Sequence, residues 1–261
     1  MADKQLTESL KRYYTRGVHF DGRKLGDVRS VTIERGVSKN AEGSAKVTLG
    51  ETVVFAGVKM QTEKPYPDTP NKGNLMVNAE LTPMASPDFE SGPPSDWAIE
   101  VSRLVDRTVR EGEAVDLKSL CITPGELVWG VIIDIVPIND AGNLLDAASL
   151  AALAALTDAR FPGVDENGAV DYKVHEKALE LHAKPLLVTA YKIGDHIVTD
   201  PDYEEERGVQ SRLSIGFQDD GALCALQKGG EQGLTPEEIA SALERAAQTV
   251  AVYRKALEVK R

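Results

Sequence analysis

Asn139-Asp-Ala-Gly-Asn-Leu-Leu-Asp-Ala-Ala-Ser-Leu-Ala-Ala-Leu-Ala-Ala-Leu156 follows the apolar run Leu127-Val-Trp-Gly-Val-Ile-Ile-Asp-Ile-Val136. The pair reads as strand, tight glycine turn, helix. Between Leu144 and Leu156 only Asp146 and Ser149 are polar. A helix that is apolar on every face is buried on every face, and this run is too short to span a bilayer. Its alanines let sheets or other helices approach closely. The pattern predicts a central core helix with the rest of the chain packed around it.

The start of that helix is also a place for chemistry. A glycine turn feeding a helix presents free N–H groups and a positive dipole end, which suits a phosphate. The residues themselves favour a capped core helix: Asn143 stands at the N-cap and Asp146 at N3, where a carboxylate complements the dipole. No Lys or Arg lies between Gly125 and Ala159. A phosphate here would meet Asp140 and Asp146 and no local cation.

At 261 residues the chain is long enough to bury a sizeable core without staples. Its net charge of −11 argues against general adhesion to nucleic acid or anionic membrane, though not against a local basic stripe. Cys121 and Cys224 sit in apolar strand-like runs without CxxC neighbours and are expected to be buried free thiols of a reducing compartment. No signal peptide or transmembrane pattern is visible, so a cytoplasmic protein is expected, with no membrane association.

Around the central helix the periodicity predicts a short amphipathic helix over 4–16 and a strand from Arg29 to Gly36. It predicts a hairpin of 45–49 and 52–60 around Gly50-Glu51, with the second strand central. Leu75 to Leu81 alternates as a strand. Residues 82–95, with four prolines, form an irregular connection of a length that is often functional. A helix then runs from Trp97 to Arg110, followed by a short strand at Leu120 to Thr123. Residues 161–172 read as a loop and Val174 to His182 as a short helix carrying two solvated histidines, His175 and His182. Hairpins of 186–193 with 197–199 and of 211–217 with 222–227 follow. The last helix opens on the capping box Thr235-Pro-Glu-Glu238. The order implies a mixed α/β (α+β) chain with a loose twofold echo.

Two clusters stay open on spacing alone. Arg103, Arg107 and Arg110 repeat at i, i+4, i+7 and project from one helix face. They are either ion-paired, Glu100 with Arg103 and Asp106 with Arg110, or a stripe that grips phosphodiester oxygens in arginine forks. Asp200-Pro-Asp-Tyr-Glu-Glu-Glu-Arg207 holds five carboxylates in seven residues. They form either a solvated loop or a divalent-cation site.

Taken together, several stretches resemble the RNase PH family of phosphorolytic 3′→5′ exoribonucleases. They are Asp21-Gly-Arg23, Ala41-Glu-Gly-Ser44 with Gly50-Glu-Thr-Val-Val54, Glu100-Val-Ser-Arg-Leu-Val-Asp-Arg107, Asp140-Ala-Gly142 opening an Ala-rich helix, and Asp200-Pro-Asp-Tyr-Glu-Glu-Glu206. They run in family order over nearly the whole chain. Within the family the chain is most similar to the non-catalytic RNase PH-like subunit of the archaeal exosome. The resemblance implies an RNase PH-like (ribosomal protein S5 domain 2-like) fold of two related βαβα-type halves. The expected division is an N-terminal extension over 1–19 and one RNase PH-like domain over 20–261, its halves about 20–125 and 126–261. It also implies a hexameric ring of three heterodimers with a catalytic paralogue, possible cap proteins, RNA as ligand, and no metal or cofactor.

Departures from the family pattern bear on activity. Active members hold the attacking phosphate with an arginine in the turn that opens the central helix; here Gly142-Asn143 is followed by Leu144. A second phosphate arginine precedes the arginine-striped helix in those members, but no basic residue occurs from Asp88 to Ser102, and the matching place is near Trp97. The acidic motif keeps Asp200, while its second aspartate corresponds to Glu206. The chain alone is therefore expected to be inactive, with Gly142, Asn143 and Leu144 a degenerate phosphate site and Asp200 and Glu206 a degenerate acidic site. By resemblance Arg103 and Arg107, with Arg110 the weaker match, bind RNA phosphates near the partner's active site. Two other readings remain: a phosphorolytic exoribonuclease active on its own, and an unrelated metal-dependent α/β enzyme using the Asp200–Glu206 cluster.

Overall fold

Every residue from Leu144 to Leu156 is buried, as an all-apolar helix requires. The computed structural model describes residues 4–165 and 169–259. In chain order the elements are α1 (Lys4–Thr15), β1 (Val31–Arg35), β2 (Gly43–Leu49), β3 (Thr52–Glu63), β4 (Asn74–Ala79), α2 (Asp96–Glu111), β5 (Cys121–Thr123), β6 (Leu127–Asn139) and α3 (Leu144–Asp158). Then come β7 (Arg160–Val164), β8 (Val170–Ala178), β9 (Leu186–Ile193), β10 (His196–Thr199), α4 (Tyr203–Glu206), β11 (Ser211–Phe217), β12 (Leu223–Gly230) and α5 (Pro236–Glu258).

The strands form two main sheets. One runs β1-β2-β3-β6-β4, with β5 pairing β6, and the other β10-β9-β11-β12. β4 lies parallel to β6, the strand that delivers the chain to α3. β3 stands between β2 and β6 with alternate residues buried, the central position expected for it. α3 lies against β2, β3 and β6 of the first sheet and β9 of the second. The approach is close enough that a Cβ on Gly43 would fall 2.4 Å from the Ala155 carbonyl oxygen. The alanines of α3 are what permit it. α2 spans from β4 to β12, α5 packs on β9, β10 and β11, and α1 seals the lower end of the second sheet through Leu10 and Tyr14 against Tyr191, Ile193 and Val198.

The capping box expected for α5 is present, and α2 is capped as well. Ser95 caps α2 by accepting from Ala98 N, and Thr235 and Glu238 complete a reciprocal capping box on α5. Two expectations fail in one region. Residues expected as a loop over 161–172 and a helix over 174–182 instead form the antiparallel β7–β8 hairpin, although Asn167-Gly168 lies outside the described residues. The run is ambiguous in sequence: Val170, Val174 and Ala178 recur at helical spacing, while Val170, Tyr172 and Val174 alternate as in a strand, and pairing with β7 decides for the strand. Across the ribbon Val174 sits over Gly163, and from β3 the Lys59 ammonium lies 4.4 Å from the Tyr172 ring centre, a cation–π distance. Seven of the β8 residues after Asp171 are exposed along with it, so no burial pattern marks the strand. His175 and His182 are both exposed, as expected. Cys121 and Cys224 are free but only half-buried, because β5 and β12 lie at sheet margins rather than in the core.

Candidate functional site

The N–H groups of Ala141, Gly142 and Asn143, in the turn between β6 and α3, are engaged from within. Gly142, at φ 94°, lies against the chain after Asp200, where a Cβ would fall 2.5 Å from the Asp202 carbonyl carbon. Each successive N–H of the turn has an internal acceptor. Ala141 N donates to Thr52 Oγ1 at 3.1 Å, Gly142 N to Asp140 Oδ1 at 3.1 Å, and Asn143 N to Glu206 Oε1 at 2.8 Å. Glu206 thus places a carboxylate at the mouth of the helix, where an external anion would otherwise bind. Leu144 turns inward and is 2% exposed.

Asn143 and Asp146 are placed differently from the capped-helix expectation. Asn143 occupies the N-cap position in the left-handed region (φ 55°, ψ 43°) and its side chain caps nothing. Instead its Nδ2 donates to Asp146 Oδ2, Asp200 Oδ1 and Tyr253 Oη, and its Oδ1 accepts from Tyr191 Oη at 3.1 Å. Asp146 is fully buried beneath the helix, accepting from Thr189 N at 2.8 Å and from Tyr253 Oη at 3.0 Å. Burial, with the neighbouring Asp200 carboxylate, raises its pKa to about 8 in spite of the bonds from Asn143 and Tyr253. It is therefore an interior group favoured neutral near pH 7, not a charge complementing the helix dipole.

A cation does reach this turn, from the segment that precedes β1. Arg29 donates from Nη1 to Ala141 O at 2.8 Å and from Nη2 to Gly142 O at 3.0 Å. It is already committed, because Asp200 Oδ1 accepts from Arg29 Nη2 at 2.7 Å and Asp200 Oδ2 from Arg29 N at 2.7 Å. Arg23 of the Asp-Gly-Arg turn adds Nη1 to Asp200 Oδ2 at 3.1 Å and Nη2 to Asp200 O at 3.0 Å. These bonds hold Asp200 fully buried at φ 51°, a left-handed conformation that Asp tolerates better than most residues.

The acidic run is neither a solvated loop nor a metal cluster. Asp202 caps the single turn α4 through a capping box with Glu205. Glu205 is buried and accepts from Tyr14 Oη, Phe20 N and Asp202 N, with His19 Nδ1 3.0 Å from its Oε1. Burial opposes its ionisation, but these donors hold its pKa below the ordinary glutamate range. Glu206 is pushed the other way, to about 7, by burial and the nearby Asp140, against the Asn143 N–H and Arg29. Among the described residues no group of three or more His, Cys, Asp or Glu side chains is placed to hold a metal ion. Four of the five carboxylates, Asp200, Asp202, Glu205 and Glu206, are structural ties, which a count of acidic residues could not distinguish from solvated ones.

Beside the turn lies a cleft of about 990 Å³ whose rim includes the 86–95 connection, Trp97 and Tyr203. Its charged lining is Glu80, Asp88, Glu90, Asp134, Asp140 and Glu206, with Arg207 as its one cation among the described residues. Such a wall repels phosphate. The arginines of α2 are brought together on a separate face. Arg110 is tied to Asp106 (2.6 Å) and to Leu75 O (2.8 Å). Arg107 donates to the neutral Gln227 Oε1 at 2.5 Å. Glu100, expected beside Arg103, pairs with Arg212 of β11 at 2.5 Å. Arg103 is exposed and has no ion-pair partner among the described residues.

Residues 27–162 match domain 1 of the 3′ exoribonuclease family, RNase PH, and residues 184–249 match its domain 2. The chain belongs to the RNase PH family. Among relatives, it is 45% identical to the exosome complex component Rrp42 of Methanothermobacter thermautotrophicus, over 88% of this chain and 86% of that one. It is 42% identical to Rrp42 of Sulfurisphaera tokodaii, over 92% of this chain and 89% of the relative. Among solved structures it is similar to a chain of the Archaeoglobus fulgidus exosome with RNA bound to the active site. The TM-score there is 0.90 at 39% identity, covering 97% of this chain and 98% of that one. A chain of an archaeal exosome core aligns at TM-score 0.85 and 36% identity, covering 97% of each. The RNase PH fold expected from the sequence is thus the fold observed. Sequence reasoning missed Arg29, Glu205 and Arg212; only the Asp21-Gly-Arg23 motif hinted that a basic residue near the N-terminus meets Asp200. No helix of the described residues is long and apolar enough to cross a membrane.

Proposed function

We propose that this chain is the non-catalytic RNase PH-like subunit of an archaeal-type exosome, working in the cytoplasm in a hexameric ring of three heterodimers with a catalytic RNase PH-like paralogue. In this reading it shapes the partner's active site and guides RNA to 3′→5′ phosphorolysis, and the ring carries cap proteins. Residues 1–19 are an extension of the RNase PH-like unit 20–261, whose halves meet near residue 125.

The carrying observation is the filled turn. Phosphorolysis needs inorganic phosphate held in line with the scissile bond, and positioning and charge stabilisation supply most of the catalysis. Here Glu206 takes the Asn143 N–H, Asp200 neutralises Arg29, and Leu144 is buried. Gly142, Asn143 and Leu144 are a phosphate site closed from within, and Asp200 and Glu206 are the residues that close it. Arg103 and Arg107 supply the RNA-phosphate contacts. Arg110, already bonded to Asp106, contributes least.

The test is to co-purify the chain with the catalytic paralogue and to assay release of nucleoside diphosphates from RNA and phosphate by each chain and by the mixture. Activity is expected from the mixture and not from this chain. Phosphorolysis by this chain alone, or failure of the two to associate, would overturn the reading.

A further inference from the structure

The carboxylates nearest Arg103 along α2 are Glu100, three residues before it, and Asp106, three residues after it. At that spacing acid and base neighbour one another on a helix and pair by default. Neither pairs with Arg103 here. Asp106 is taken by Arg110, and Glu100 is drawn off the helix by Arg212 of the second sheet. The seat of Arg212 is built. Its guanidinium lies 4.9 Å from the Trp97 ring centre, a cation–π distance. On its other side stands Gly229, its register partner in β12, where a Cβ would come within 2.7 Å of Arg212 Cζ. The Arg212 side chain is 16% exposed, against 29% for Glu100. Arg107 is likewise held by Gln227, an acceptor that carries no charge. Arg103 and Arg107 therefore carry no carboxylate counterion among the described residues.

We infer that Arg212, seated between Trp97 and Gly229, is a positioning residue that holds Glu100 away from Arg103 and so keeps the Arg103 guanidinium available to an RNA phosphate. The inference rests on the reading of Arg103 and Arg107 as RNA contacts and adds to it the device that leaves them unpaired. Without the Arg212 guanidinium, Glu100 swings to Arg103 and competes with the phosphate. Gly229 matters because a Cβ there would crowd the guanidinium at its Cζ, Nε and Nη2 atoms, so a side chain at this position displaces it.

The test uses the ring assembled with the catalytic paralogue and a fluorescein-labelled oligoadenylate, titrated over a range of salt. Arg212→Met weakens binding by about two- to fivefold, the range of one competing surface ion pair, and lowers the salt slope by roughly the share of one phosphate. Adding Glu100→Gln to Arg212→Met restores both, which a merely structural loss would not allow. Gly229→Ala displaces the guanidinium without deleting it, acts in the same direction, and serves if the Arg212 variant does not fold. Wild-type binding by Arg212→Met and Gly229→Ala, or a loss that Glu100→Gln does not restore, overturns the inference. Arg103→Glu with Arg107→Glu separates the levels. If that pair leaves binding unchanged, the RNA reading itself falls. If it weakens binding while the Arg212 and Gly229 variants do not, only the role of Arg212 falls.

Discussion

The turn before α3 and the outer face of α2 both gather arginines, and they treat them oppositely. At the turn, Arg29 and Arg23 converge on one buried carboxylate, Asp200, and the guanidinium of Arg29 also serves two backbone carbonyls. On α2, Arg103 and Arg107 are exposed, and the acids within reach of Arg103 are engaged elsewhere. The residue type is the same in both places; the pairing decides its role. A guanidinium with a buried carboxylate is a structural tie, while one left without a counterion is ready for a phosphate.

Asp200→Ala should break the comparison hardest. Removing one partner of a buried ion pair costs about 3–5 kcal/mol, because the other charges stay buried and uncompensated. Thermal unfolding would register this as a large fall in Tm, and an unchanged Tm would mean that Arg29 and Arg23 find other acceptors. Arg103→Glu with Arg107→Glu should act in the opposite sense. Tm stays near wild type, since exposed charges contribute little to stability, while RNA binding by the assembled ring weakens by about tenfold or more as phosphate contacts are lost.

A smaller effect tests the interior beneath the turn. Asp146 has its pKa raised to about 8 in the folded protein, above its unfolded value. The native state therefore holds a proton that the unfolded chain releases, and the stability this gives at acid pH is lost as pH climbs from about 4 to about 8. Asp146→Asn should flatten that decline. Tm measured from pH 5 to pH 8 will fall less in the variant than in wild type, and parallel curves would contradict the assignment.

How much of this was legible follows from where each signal is written. The buried α3, the β2–β3 hairpin and the cap of α5 could be read because their determinants lie within one stretch: apolar periodicity, a Gly50 turn, Thr235 with Glu238. The β7–β8 hairpin could not, because Val170, Tyr172, Val174 and Ala178 fit both a strand and a helix period, and the exposed ribbon has no buried face to arbitrate. The helix start was half legible. Leu144 and the lack of local cations stood in the sequence, but the arrival of Arg29 and Glu206 depends on contacts between residues more than sixty positions apart. Glu100 illustrates the limit best. Local spacing paired it with Arg103, and a residue on another sheet took it instead.

α3 touches both sheets and also α2 and α5. Its amides are shielded only when both sheets are assembled, so loosening either sheet exposes it. The chain should consequently come apart in a single cooperative step, with hydrogen exchange along Leu145 to Ala155 occurring only through opening of the whole molecule.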